Sequence, residues 1–342
     1  MQLQQNISLK KFNTFGIDVS ANYFLQISSV DELAEYFDYK KLSSPLSPLP
    51  TCILGGGSNI LFTKNYEGVI LKNNLKGITI IKQDENHIYI KTAAGENWHS
   101  FVMYCVANNF AGVENLSLIP GNVGASPMQN IGAYGIEIKD VFYELEAFDI
   151  EDKKLVIFNK QDCEFGYRES VFKRKYKGRF VITSVTFKLN KNPTFNTSYG
   201  AIEQELEKMQ VQQITIQAVS QAVINIRRSK LPDPAAIGNA GSFFKNPTVI
   251  ASFFTKLKMH FPAIVGYELP DGNVKLAAGW LIEQCGWKGY RKNDAGCHAK
   301  QALVLVNYGN AGGDEIVELS KQIIESVYQK FNVILEREVN II

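Results

Sequence analysis

The chain has 342 residues, 45% of them apolar and 20% charged, with a formal surplus of +2. These values exclude a disordered or fibrous chain, and so small a surplus excludes nucleic-acid binding through bulk charge. The opening MQLQQNISLK has no apolar core of a signal peptide, no run reaches the roughly 18 residues of a membrane helix, and the five cysteines match neither a disulfide framework nor a zinc site.

A reduced, cytoplasmic protein of two or three domains is therefore expected, with its thiols buried. Ser29-Val30-Asp31-Glu32 fits a capping box, and Leu33, Tyr36 and Phe37 give the helix behind it an apolar face. Three prolines in SSPLSPLP, 43–50, stop any regular element. TCILGGGSN reads as a short strand entering a glycine turn, and GVILKN, GITIIKQD and HIYIKTAAG read as further strands. Trp98, Phe101, Val102, Cys105 and Val106 fall at helical spacing. After a long polar loop, KLVIF and RFVITSVTFKL return to strand. Thr215 is placed to cap a helix with Ile216, Val219, Val223 and Ile226 on one face, ending in RRSKLPDP. ALVLVNYG is a strand, about 314–331 a helix, and NVILEREVNII a closing strand. Strands and helices mix without regular βαβ alternation, which predicts an α+β fold.

Two stretches carry more backbone than side chain. GGGSN, 55–59, follows a strand and is neither a dinucleotide fingerprint nor a P-loop, so by itself it reads as a hairpin or bulge. IPGNVGASPMQNIGAYG, 119–135, holds no acid or base, which argues against proton chemistry. Its glycines let main chain approach a ligand closely, and its amides can donate and accept. A structural loop and a cradle for a flat, polar-edged cofactor both remain open on these grounds.

NTFGIDVSANYF, ILGGGSNILF, IPGNVGASPMQNIGAYGIEIKD, FGYRESVFK, GNAGSFFKNP, KLAAGWLIEQCGWKG and LEREV occur in this order. Together they resemble the UDP-N-acetylenolpyruvoylglucosamine reductase family over essentially the whole chain, with SYG at 198–200 similar to its longer, type I form. The resemblance implies a two-subdomain FAD-binding region of the vanillyl-alcohol oxidase type and a C-terminal α+β domain for the UDP-sugar. The division expected is 1–70, completed by a C-terminal strand 332–342, then 71–213, then 214–331. It also implies FAD and NADPH as cofactors, the latter sharing one pocket with the UDP-sugar, and a cytoplasmic role in peptidoglycan precursor synthesis.

Carried over position by position, the family pattern implies three catalytic residues. Arg168 in GYRES would face the substrate carboxylate, Ser242 in NAGSFF would give the proton, and Glu338 in LEREV would hold the carboxylate with Arg168 or steady the enolate. Gly55, Gly56, Gly57, Ser58, Asn59, Pro120, Gly121, Gly124, Ala125, Ser126, Gln129, Asn130, Gly132, Ala133 and Gly135 would cradle FAD. Tyr199, Lys230 and Asn246 would grip the diphosphate and nucleotide, with Tyr134 and Gln301 as weaker matches; no metal is implied. Two rival readings share parts of this pattern: an FAD oxidase of alcohols, and a flavin-free UDP-sugar binding module.

Overall fold

The computed structural model describes residues 2–42 and 45–342; Ser43 and Ser44, which open the proline-rich stretch, lie outside the described residues. Two compact units emerge, each built from separated stretches of chain. The first comprises residues up to Ile7, Ala21–Gly56 and Glu67–Ser229, and the second Ser8–Ser20, Gly57–Tyr66 and Lys230–Ile342.

The first unit holds two sheets. In one, Gln4–Ser8, Ser20–Ile27, Tyr66–Asn73 and Thr51–Leu54 lie side by side, the last two parallel. Its core gathers Leu25, Ile27, Val69 and Leu71 with Leu33, Tyr36 and Phe37 of the helix Val30–Leu42. Ser29 Oγ accepts from the Glu32 amide and the Glu32 carboxylate accepts from the Ser28 amide, so the box closes one residue earlier than its simplest form.

The second sheet is wholly antiparallel, in the order Lys154–Asn159, Phe142–Asp149, Phe180–Asn190, His87–Ala93, Ile78–Gln83. Its central strand, Phe180–Asn190, is buried almost throughout, as its run of apolar residues requires. The helix Trp98–Ala107 lays its five apolar residues on this sheet, with Phe101 and Phe187 ring centroids 4.7 Å apart, and Asn97 caps it by accepting from the Ser100 amide. The helix Ile216–Lys230 starts at Thr215 Oγ1, which accepts from the Ala218 amide. It packs within this first unit, where Ile202, Leu206, Ala222, Val223 and Ile226 form a small core.

In the second unit, Gly238–Ser242, Val304–Asn307, Ala295–Cys297 and Arg291–Lys292 form one antiparallel sheet, and Thr248–Ile250, Asn273–Leu276 and Gly266–Glu268 another. The helix Gly313–Phe331 buries Ile316, Leu319, Ile323, Val327 and Phe331. Two expectations need correction. GGGSN is not a hairpin turn: the strand before it pairs in parallel with Tyr66–Asn73, and Ile60–Leu61 after it pairs in parallel with Asn340–Ile341. The closing segment is not one continuous strand either. Asn340–Ile341 is the strand, whereas Glu336 to Glu338 are extended and bond the 243–245 backbone around one bridge between Arg337 and Phe244.

Cys105, Cys163 and Cys297 are buried, while Cys52 and Cys285 are part-exposed; all five are free thiols. No helix among the described residues is long and apolar enough to cross a membrane.

Candidate active site

In the first unit the two glycine stretches meet backbone to backbone. A Cβ built on Gly56 would sit 2.8 Å from Gly121 Cα and 2.9 Å from Asn122 Oδ1, so side chains at this meeting point would force the loops apart. The 121–124 stretch is sewn to the 94–98 turn. Trp98 N–H donates to Gly121 O, Val123 N–H to Glu96 O, Gly124 N–H to Ala94 O, and Asn122 Nδ2 to Gly95 O. Lys72 Nζ donates to Gly55 O at 2.6 Å, and burial holds its pKa below the usual lysine value. Gly56, Pro120 and Ala125 are exposed along this seam. A surface of main chain with a cation behind it and no acid within the run suits a pyrophosphate-bearing, flat group. The residues present therefore fit FAD.

Two of the expected cradle residues are spent on the protein itself. Asn130 is fully buried; its Nδ2 donates to Glu137 Oε2 and Gly166 O, and its Oδ1 accepts from the Lys139 amide. Ser126 Oγ donates to Val123 O. Both shape the loop from behind. Gly132 and Ala133 pair with Ile136–Glu137 in a two-residue hairpin, and Gly132 O accepts from Arg168 Nη2 at 2.7 Å. Arg168 is half-buried with φ +54°, a left-handed backbone uncommon for a side chain of this size. Tyr134 (φ +49°) is half-buried and Tyr199 is 49% exposed. Burial raises the Tyr134 pKa, opposed by the nearby Arg227 guanidinium.

His99 was not anticipated. Its Nδ1 accepts from the Leu118 amide at 3.0 Å, where Leu118 (φ +59°) leads into Pro120-Gly121. This acceptor exists only in the neutral imidazole. Burial, then Arg228 and Arg227, hold its pKa below 6.5. The unfolded chain thus takes the proton at a higher pH than the folded one. The bond's contribution is complete above 6.5 and is lost as pH falls below it. Thermal unfolding of the holoprotein on either side of that value is expected to show the decline, and His99→Gln, neutral throughout, to flatten it. An unchanged slope in the variant would remove His99 as its source.

In the second unit Ser242 ends the strand Gly238–Ser242, after Gly241 (φ +69°) and a register shift against Val306 and Val304. The bulge turns Ser242 to the surface while Phe243 and Phe244 are buried. The backbone just beyond it pairs with the LEREV segment: Glu338 N–H donates to Phe243 O at 2.8 Å and Lys245 N–H to Glu336 O at 2.9 Å. This register sets Glu338 opposite Phe243, so the segments bearing Ser242 and Glu338 lie side by side with Ser242 diagonal to Glu338. The glycine turn joins them, since Asn59 Nδ2 donates to Glu338 O and Asn59 O accepts from Asn340 Nδ2. Lys245 Nζ is held by the Glu336 carboxylate, and Arg337 Nε donates to the buried Ser320 hydroxyl of the last helix. Asn246 Oδ1 accepts from the Ala278 amide, capping the helix Ala278–Gln284. Gln301 Oε1 accepts from the Leu303 amide, and Lys230 is exposed at the end of its helix. Among the described residues no group of His, Cys, Asp and Glu could hold a metal ion.

Comparison with known proteins follows the same division. Residues 22–158 match the family described as FAD binding domain, and residues 233–342 match the family described as UDP-N-acetylenolpyruvoylglucosamine reductase, C-terminal domain. The UDP-N-acetylenolpyruvoylglucosamine reductase of Flavobacterium johnsoniae is 50% identical over 100% of both chains. The protein of the same name from Amoebophilus asiaticus is 49% identical over 100% of both, and that of Pseudomonas syringae pv. tomato 48% identical over 100% of this chain and 99% of its own. A crystal structure of UDP-N-acetylenolpyruvylglucosamine reductase from Thermus caldophilus superposes with a TM-score of 0.69 at 21% identity, covering 100% of this chain and 99% of that one, which shows a shared fold.

Proposed function

The chain belongs to the UDP-N-acetylenolpyruvoylglucosamine reductase family, and from that premise we propose how its residues carry out the NADPH-dependent, FAD-mediated reduction of UDP-N-acetylenolpyruvoylglucosamine in peptidoglycan synthesis. FAD, which the 55–59 and 120–135 stretches would hold, would supply hydride transfer from NADPH to the far carbon of the enolpyruvyl group. Negative charge then develops on the near carbon and its carboxylate. The Arg168 guanidinium, planar and permanently charged, stabilises that carboxylate, and Ser242 Oγ gives the proton to the near carbon. Glu338 holds the carboxylate with Arg168 or steadies the enolate as a hydrogen-bond donor. Tyr199, Lys230 and Asn246 grip the diphosphate and nucleotide, with Tyr134 and Gln301 beside them. Lys230 acts as a point charge toward phosphate.

The cradle residues 55–59 and 120–135 hold FAD, and NADPH and the UDP-sugar use one pocket in turn. The observation that supports the reading of the chemistry is the extended pair that runs the segment bearing Glu338 alongside the strand end bearing Ser242, with Asn59 donating to the Glu338 backbone. For domain organisation, 1–70 with 332–342, 71–213 and 214–331 are proposed as functional domains. The smaller core of the first unit draws mainly on residues 25–75 but also takes in Phe148 and Val181, and 340–341 pair with 60–61, a stretch that packs in the second unit. The helix at 216–230, by contrast, packs with the first unit. Cytoplasmic location is part of the same proposal.

The test is optical. Purified protein is expected to be yellow, to bleach with anaerobic NADPH, and to regain colour when UDP-N-acetylenolpyruvoylglucosamine is added. Colourless protein would leave a binding module. A bleached flavin that this substrate fails to reoxidise would leave the oxidase reading.

A further inference from the structure

The short helical turn Glu114–Leu116 precedes the long glycine loop, and its middle residue, Asn115, is 1% exposed. Its single Nδ2 group reaches two separate pieces of backbone. It donates to Tyr134 O at 2.9 Å and to Asn196 O at 2.8 Å. The turn beneath it is firmly held: Trp98 Nε1 donates to Leu116 O, Glu114 Oε2 accepts from the Gly112 amide, and the buried Ser117 and Ser220 hydroxyls bond each other at 2.8 Å. All of these residues lie in the first unit.

The two pieces that Asn115 joins are the turn bearing Tyr134 and the 196–200 loop bearing Tyr199. They also touch directly. A Cβ at Gly135 would come within 2.8 Å of Asn196 Nδ2 and 3.2 Å of Tyr199 Cβ, and one at Gly200 within 3.4 Å of the Tyr134 ring. The loop itself is exposed at 198–200. With no strand ladder to fix it, the loop is tied by the buried Asn115 amide and by Asn196 Nδ2, which donates to Gly135 O at 3.4 Å.

We propose that Asn115 is a positioning residue: it latches the Tyr199 loop onto the Tyr134 turn and thereby sets how tightly the UDP-sugar is gripped. The inference rests on the reading of Tyr199 as a substrate residue. Its test separates the two. In the holoenzyme, Asn115→Ala is expected to raise KM for UDP-N-acetylenolpyruvoylglucosamine about tenfold and change kcat less than about twofold, the size of losing one or two net hydrogen bonds from ligand positioning. Tyr199→Ala should raise the same KM. The double variant should be no worse than Tyr199→Ala, because Asn115 acts through that loop.

If Tyr199→Ala raises KM and Asn115→Ala does not, the latch is wrong and the substrate reading stands. Additive losses in the double variant also overturn the latch. An unchanged KM in Tyr199→Ala overturns the substrate reading and the latch with it. Flavin absorbance and a cooperative thermal transition check that each variant is folded. Where Asn115→Ala fails that check, the isosteric Asn115→Asp, which also lacks both N–H donors, is read in the same way. Failure of both variants to fold would assign Asn115 to stability alone and overturn the proposal.

Discussion

Ser242→Ala is expected to leave the reduction of bound flavin by NADPH nearly intact and to slow its reoxidation by UDP-N-acetylenolpyruvoylglucosamine by about 10²–10⁴-fold, the usual loss when a general acid is removed. A hydroxyl is a weak acid, so in the proposed role it would serve only because the carbon it meets is strongly basic as charge builds. The first half-reaction contains no such carbon. The fold gives a further reason to expect a clean separation. Ser242 is exposed, whereas the frame around it rests on the buried Phe243 and Phe244 and on backbone bonds to Leu303 and the Glu336–Glu338 segment. Removing one surface oxygen therefore leaves the frame in place. Rapid-mixing absorbance of the flavin band reads both halves in one preparation. Equal slowing of the two would contradict the proton-donor role.

The largest effect on stability is expected at Gly57. Its φ is +66°, and a Cβ there would overlap the carbonyl oxygen of Phe12 and crowd Asn13. Gly16 has the same φ of +66° but nothing within 4 Å of its would-be Cβ. The pair isolates steric overlap from backbone strain. Gly16→Ala is expected to cost about 1–2 kcal/mol, the left-handed penalty alone. Gly57→Ala adds overpacking against main chain that cannot rotate away, for a total of at least about 3 kcal/mol. The segment displaced at Gly57 leads directly to Asn59 and its bonds to Glu338 and Asn340. Flavin retention should therefore fall with stability. Denaturant titration of both variants checks this, and equal losses at the two positions would show that the overlap is relieved at no cost.

Elements with a complete local signal were readable from the chain alone. The helix at 30–42 has its cap and its buried face within one stretch, and the helix at 98–107 buries the five residues its spacing indicates. Phe142–Asp149 was overlooked because two register shifts, at Phe142/Glu144 and Glu146/Ala147, break the alternation that marks a strand. Ala278–Gln284 was overlooked for another reason: a glycine interrupts it and its cap, Asn246, comes from 32 residues away. The site divides the same way. Glycine density announced the backbone cradle, but its function came from the family resemblance. His99 and Lys72 act by one bond each, and Asn115 by two, to distant carbonyls or amides, and no local pattern marks such a partner.

The second unit is assembled from Ser8–Ser20, Gly57–Tyr66 and a partner stretch beginning only at Lys230. The two early pieces bond each other, through the Thr14 amide and Gly57 O, but their remaining partners lie from Lys230 onward. Thr63 donates its amide to Ile342 O, a partner far along the sequence. Closing loops of that length slows the folding of this unit and makes it depend on non-local contacts. The first unit can settle earlier, because its long 67–229 stretch is continuous.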